Sequence, residues 1–417
     1  MTTTVVVIFL IVYLGMILGG LPFLQLDRTG IALLGAIALI TFDAVSLEEA
    51  AKAVHLPTII LLFSFMVVSA QMRLGGFYDG VTRALGASAL SPPQLLAALM
   101  AVVAALSAVF SNDIVCLAVA PVLIHACIRR RLDPVPYLLA LACAANIGSA
   151  ATLIGNPQNI LIGQTLRLSF AGYFAEALPP VILGLAAAWA LIAWHARGRW
   201  SLPEDSDAAG ERAARNGNDA EVPLDRWQTT KGLTVATVLL IAFVFAPWPR
   251  EHVALTAAGV LLMSRQLHSS RMLGLVDWEL LVLFIGLFVV NHALQQTGLT
   301  DKLVNDLREA GVDLQHPGPL FVSTFVLSNI VSNVPAVMLL LPLATHPLAG
   351  PVLALTSTLA GNLLIVGSIA NIIVVDSAAR QGVRIDWHRH ARIGVPVTLA
   401  TLAITAGYLW LQLRSGG

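Results

Sequence analysis

One carboxylate and a set of amides lie where an apolar chain should carry neither. Asp113 falls in "FSNDIV" with Ser111 and Asn112 beside it, and "SNIVSNVP" carries Ser328, Asn329, Ser332 and Asn333. Asn146, Gly148, Ser149, Thr152, Gly155, Asn156, Gln158 and Asn159 share "NIGSAATLIGNPQN", while Asn362, Gly367, Ser368 and Asn371 share "AGNLLIVGSIANIIV". A charged carboxylate in hydrocarbon is costly, so Asp113 calls for a transported cation, a proton or an amide network as its partner. The plainer role is a cap on the helix that starts there. Glycine and proline free backbone groups that lipid cannot satisfy, so an interrupted helix at membrane depth must line a cavity or be buried in protein. Half-helix N-termini suit an anion, and nearby carbonyl and side-chain oxygens suit a small cation. For each asparagine taken alone, interhelical hydrogen bonding is the competing explanation.

The elements that must hold these residues follow from composition. Of 417 residues 57% are hydrophobic and 12% charged, with mean hydropathy +0.81, which is the profile of an all-α polytopic membrane protein. A net charge of +0 leaves no basic face for nucleic acid. Cys116, Cys127 and Cys143 sit in apolar runs without paired spacing, so they are expected as small core residues and neither a disulfide nor a metal site is expected. The N-terminus lacks a charged leader region and is long enough to span. Ser111 beside Asp113 has no histidine at comparable depth in the sequence, so a serine hydrolase is not supported, and neither a catalytic residue nor a cofactor is expected. A passive channel would use the same polar lining.

Apolar runs predict ten spans, near 5–23, 30–41, 57–71, 136–163, 173–194, 233–248, 253–263, 280–294, 353–375 and 393–413. Two further stretches, about 94–128 and 318–343, are polar at their centres and read as re-entrant hairpins. The polar stretch 195–231 reads as a solvated linker between residues 1–194 and 232–417. The halves repeat. Arg28, Ala32 and Leu33 match Arg250, Ala254 and Leu255, and Gly76 and Asp79 match Gly298 and Asp301, all at a shift of 222. Ser111, Asn112 and Pro121 match Ser332, Asn333 and Pro342 at 221. Between the broken spans (about 136–163 and 351–376), Asn362, Gly367, Ser368 and Asn371 are taken to echo Asn146, Gly155, Asn156 and Asn159. Val334 stands opposite Asp113, which predicts one protonatable group per cycle. Five spans and one hairpin per half make the second copy upside down relative to the first. With both termini outside, eighteen of the 24 lysines and arginines fall on inner loops, the asymmetry expected of a cytoplasmic linker.

At these motifs the sequence resembles the ion transporter superfamily of the ArsB arsenite permeases, the NhaD sodium/proton antiporters, the melanosomal P protein and the divalent-anion/sodium symporters. The resemblance rests on "SNDIVCLAVAPV", "GNPQN" and "SNIVSNVPAVMLL" and is strongest to the ArsB-like permeases, whose "GDPPN" is similar to "GNPQN". It implies a scaffold and a mobile transport domain, elevator-type alternating access, a homodimer and a cytoplasmic (inner) membrane location. Asn156 replaces an aspartate common in relatives, and Asp113 and Val334 replace the threonines of dicarboxylate symporters. The expected function is therefore proton-coupled transport of arsenite, antimonite or another small inorganic anion, with Asp113 carrying the proton. The rival cargoes are sodium, exchanged for protons, and dicarboxylates. An arsenite exporter of this branch would also admit an energising ATPase partner.

Overall fold

The computed structural model describes residues 1–20, 24–202 and 223–415. Among them the secondary structure is helical apart from one isolated bridge between Leu132 and Ser201. The central part of the stretch read as a linker lies outside the described residues. Its end does not: the helix after it begins at Arg226, and Gln228 is buried, its Oε1 and backbone oxygen both accepting from Gln71 Nε2 at 3.0 Å.

Among the described residues, twenty α-helices fall into two sets of ten. The first comprises α1 (Thr2–Leu18), α2 (Arg28–Thr41), α3 (Leu47–Ala53), α4 (Leu56–Leu74), α5 (Phe77–Gly86), α6 (Pro92–Val109), α7 (Asn112–Arg129), α8 (Pro134–Ser149), α9 (Pro157–Thr165) and α10 (Phe170–Ala196). The second comprises α11 (Arg226–Phe245), α12 (Arg250–Leu262), α13 (Ser269–Leu273), α14 (Trp278–Gln296), α15 (Leu299–Glu309), α16 (Pro317–Val331), α17 (Asn333–Leu340), α18 (Ala349–Ala360), α19 (Ile369–Arg380) and α20 (Trp387–Ser415). Each helix of the first set has its counterpart ten places on. The helices α6–α7 and α16–α17 form the two hairpins, and α8–α9 and α18–α19 are the two broken spans.

Local chemistry sets these boundaries the same way twice. Gly76 and Gly298 precede α5 and α15 with φ of 67° and 70°, a left-handed turn that glycine makes without steric cost. Proline opens α6, α8 and α9, where its missing N–H is not needed. Asp133 and Asn156 cap α8 and α9 by accepting from Val135 N and Asn159 N.

Packing is reciprocal across the two sets. Helix α2 lies against α14 as α4 lies against α12, α7 against α19 as α17 against α9, and α10 against its own counterpart α20. Such exchange is a pseudo-two-fold relation, and with an odd number of crossings per set the copies are inverted. Glycine makes the tightest contacts. A Cβ on Gly148 would fall on the backbone of Ala104, and one on Gly286 would meet the backbone of Ala32 at 2.7 Å. Close backbone approach of this kind holds helices together where lipid removes the hydrophobic drive. Among the described residues, seven helices are long and apolar enough to cross a bilayer. Leu10, Leu14, Ile241 and Leu411 project outward from the bundle, and Trp194, Trp248 and Trp387 are exposed at helix ends, the pattern of a lipid-facing belt.

Candidate functional site

The two breaks meet side by side. Around them the sets correspond at a shift of 212, and the same bonds appear twice. Asn159 Nδ2 donates to the oxygens of Thr152 and Ser149 (2.9 and 3.5 Å), and Asn371 Nδ2 donates to those of Leu364 and Gly361 (3.0 and 2.7 Å). These asparagines staple the carbonyls that the end of the preceding half-helix leaves without partners. In the first break Tyr173 Oη and Thr152 Oγ1 do the same for Ala150 O (2.7 Å) and Ala108 O (2.5 Å). The carbonyls named here are thereby given donors, as hydrocarbon depth requires.

The correspondence corrects one pairing drawn from the sequence. Asn146 matches Thr358, not Asn362, and the two reach across in the same manner. Asn146 Nδ2 donates to Asn371 Oδ1 (3.2 Å) and its Oδ1 accepts from Ser368 Oγ (2.9 Å). Thr358 Oγ1 accepts from Asn156 Nδ2 (3.1 Å) and donates to Asn159 Oδ1 (3.4 Å). Each first half-helix is thereby tied to the second half-helix of the opposite repeat.

The direction of every amide in the chain of bonds follows from the backbone. Asn371 must turn its NH2 to the two carbonyls, so its oxygen faces Asn146. Asn146 therefore offers its NH2 to Asn371 and also to Asn362 Oδ1 (2.9 Å). Its oxygen then takes the NH2 of Asn112 (3.2 Å), and Asn112 Oδ1 is left over. That atom is buried without a partner among the described residues, as is Oδ1 of Asn333, its counterpart at the other hairpin tip.

Both asparagines line one cavity of about 40 Å3, whose wall is Asn112, Asp113, Asn146, Asn156, Pro157, Gln158, Leu280, Ser332, Asn333, Val334, Ser368 and Ile369. This is room for a small ion or about three water-sized spheres. Four helices begin at its wall, α7, α9, α17 and α19, so their positive dipole ends converge there. Asp113 is half-buried and has no hydrogen bond or ion pair among the described residues. The capping role is not seen, since α7 has no side-chain cap bond. No lysine, arginine or histidine is among the lining residues.

The other residues singled out by sequence are not among those that line the cavity. Ser111 caps the turn before α7, its N–H donating to Ser69 Oγ at 3.3 Å. Gly148 and Gly155 pack against backbone, that of Ala104 and of Ser149 and Ser107. Ser149 accepts from Asn156 Nδ2 at 3.0 Å, and Thr152, Asn159, Asn362, Gly367 and Asn371 build the breaks. Ser328 and Asn329 lie in the last turn of α16, Asn329 Nδ2 donating to Phe325 O at 2.9 Å. Sequence reasoning missed Pro157, Leu280, Val334 and Ile369 on the wall, Thr358 as a hub, and buried His390, whose Nε2 donates to Asn362 O at 3.1 Å. A constant shift between the breaks is the signal that would have found Thr358; His390 lies outside both motifs. Ser332 has φ 77° and ψ 162°, a region almost closed to residues with a Cβ. Cys116, Cys127 and Cys143 are buried and free.

A larger cavity, about 510 Å3, lies between α11 and α12 and is apolar, with Val235, Val238 and Val260 on its walls. It contains none of the polar groups described above.

Inverted repeats, paired hairpins and paired breaks define a membrane transporter of the ArsB/NhaD superfamily. The sequence profile of the citrate transporter family, CitMHS, matches residues 5–360, and the chain belongs to that family. It is 30% identical over 418 residues to the 46 kDa membrane protein of Mycobacterium leprae, covering 93% of this chain and 94% of that one. It is 29% identical over 448 residues to the silicon efflux transporter LSI3 of Oryza sativa subsp. japonica, covering 92% of each. The crystal structure of the YdaH transporter of Alcanivorax borkumensis shares the fold with a TM-score of 0.56 at 13% identity, over 99% of this chain and 98% of that chain.

Proposed function

We propose that this protein is a proton-coupled secondary transporter for small inorganic hydroxy acids, the class of arsenite and antimonite, working by elevator-type alternating access. The carrying observation is a pair of buried amide oxygens without partners among the described residues, Asn112 Oδ1 and Asn333 Oδ1, on two residues that line one small cavity with Asp113. Hydroxyl groups of the cargo donate to these acceptors, and its oxygens accept from the N–H groups of the four converging helix starts. Silicon, the cargo in the name of the rice relative, forms a hydroxy acid in water with the same donor and acceptor pattern. Citrate fits the cavity poorly, because its carboxylates would meet Asp113 with no cationic side chain on the wall. Asp113 takes and releases the coupling proton, and Val334 opposite it limits the stoichiometry to one.

This reading places the protein in a cytoplasmic membrane with both termini outside. Transport in everted vesicles tests it. Arsenite or antimonite should drive a pH-dye response in the wild type, and Asp113→Asn should lose proton coupling while keeping counterflow of the cargo. Undiminished pH-dependent transport in that variant would refute the role of Asp113. A second reading, sodium/proton antiport, draws on the same three oxygens as ligands for a cation. A sodium-dependent dye response without any hydroxy acid would decide for it.

A further inference from the structure

A second polar cavity, about 260 Å3, opens at the end of the bundle where α10 finishes and α20 begins. Its walls include His195, Arg199, Arg389 and Arg392, with Asp133 as the one carboxylate. Asp133 is already engaged, its Oδ1 accepting from Val135 N at 3.0 Å to cap α8. Arg199 and Arg389 each give one N–H to a backbone oxygen, that of His195 (3.0 Å) and of Arg384 (3.2 Å). Arg392 forms no hydrogen bond or ion pair among the described residues. Three guanidinium groups therefore face one cavity with most of their donors uncommitted.

We propose that this cavity binds a phosphate-bearing anion. A guanidinium presents paired N–H groups that match two phosphate oxygens, and three of them around a concave wall form an anion site. Trp194 and Trp387, 74% and 66% exposed, flank it on the same two helices. Exposed tryptophans of this kind mark the headgroup level of a bilayer, so an anionic lipid headgroup is the source that the surroundings favour over free phosphate. The position gives the anion leverage on transport. Val135, Pro136 and Leu139 of α8 share the wall with Ala196 of α10 and Ile393 of α20, so the occupant joins the long-helix pair to the foot of the first broken span.

Thermal unfolding and binding of the purified full chain in neutral detergent test the site, with phosphatidylglycerol, phosphatidylcholine and inorganic phosphate as separate probes. Phosphatidylglycerol should raise the unfolding temperature and phosphatidylcholine should not. Arg389→Gln with Arg392→Gln should weaken phosphatidylglycerol binding on the order of tenfold while leaving unfolding without lipid unchanged. Should that pair fail to fold, Arg392→Gln alone reads the same loss in part. Stabilisation by millimolar phosphate that is abolished in the variant identifies the source as free phosphate and keeps the site. Equal responses to both lipids with none to phosphate, or a full response in the variants, would overturn it.

Discussion

Asn159, Asn371, Asn146 and Asn112 are each held in one orientation by their neighbours, and the order starts from backbone carbonyls. Asn146 is the link that cannot be charged. Asn146→Asp would set a carboxylate against Asn362 Oδ1 and Asn371 Oδ1, the two oxygens its NH2 now serves, at a cost of about 3–5 kcal/mol for an uncompensated buried charge. The expected result is a clearly lowered unfolding temperature and no transport; a wild-type melting curve would show that the amides are not ordered in this way. Ser332 tests strain. Its φ of 77° stores about 1–3 kcal/mol, which Ser332→Gly should relieve. Thermal unfolding should move up in that variant, and flux should fall if the strained tip holds the N–H groups of α17 in place.

At the scale of elements, the hairpins and breaks depend on contacts that admit no side chain. Gly148→Val would drive α6 and α8 apart at Ala104, with an overpacking cost of about 1–3 kcal/mol. Gly259→Ala, where nothing lies within 4 Å, is the matched control. Folded yield and flux should drop in the first and hold in the second. The helical pattern was legible beforehand: helices lie along the apolar runs and part at the Gly and Pro punctuation, although only seven among the described residues are long and apolar enough to cross a bilayer, and the repeat offset at Gly76 and Gly298 returns as a shared left-handed turn. The facing of the break residues was not legible. Asn159 and Asn156 are three residues apart, yet one staples carbonyls and the other reaches the cavity wall. That division depends on the rotational phase of short half-helices and on partners some 200 residues away, such as Thr358 for Asn156. Hydropathy carries neither kind of information.

Over the whole molecule the two repeats are alike in chain and unlike in exposure. Val366 in the second break is 56% exposed, while Ile154, its match at a shift of 212, is 3% exposed. Ile372 is exposed and its match Ile160 is buried. Leu280 on the cavity wall lies within one turn of the exposed cap Asp277, and in the alternating-access cycle proposed above we take the second break as the open side. An inverted repeat reaches the opposite state by letting each copy adopt the other's arrangement. Val366→Cys should then react with a membrane-impermeant maleimide from one face only, and Ile154→Cys from the other face once cargo drives turnover. The native cysteines are buried and give little background. Reactivity of both from the same face would contradict the exchange.

The carbonyl staple at Asn371 carries a consequence for that exchange. If the second break closes and the oxygens of Gly361 and Leu364 find other donors, the Asn371 amide is free to turn over. Asn146 and then Asn112 would have to turn with it, and the atom Asn112 shows to the cargo would change from oxygen to nitrogen. A carrier wired in this way would grip its passenger as a base on one side of the membrane and as an acid on the other, letting go without any change in the shape of the cage.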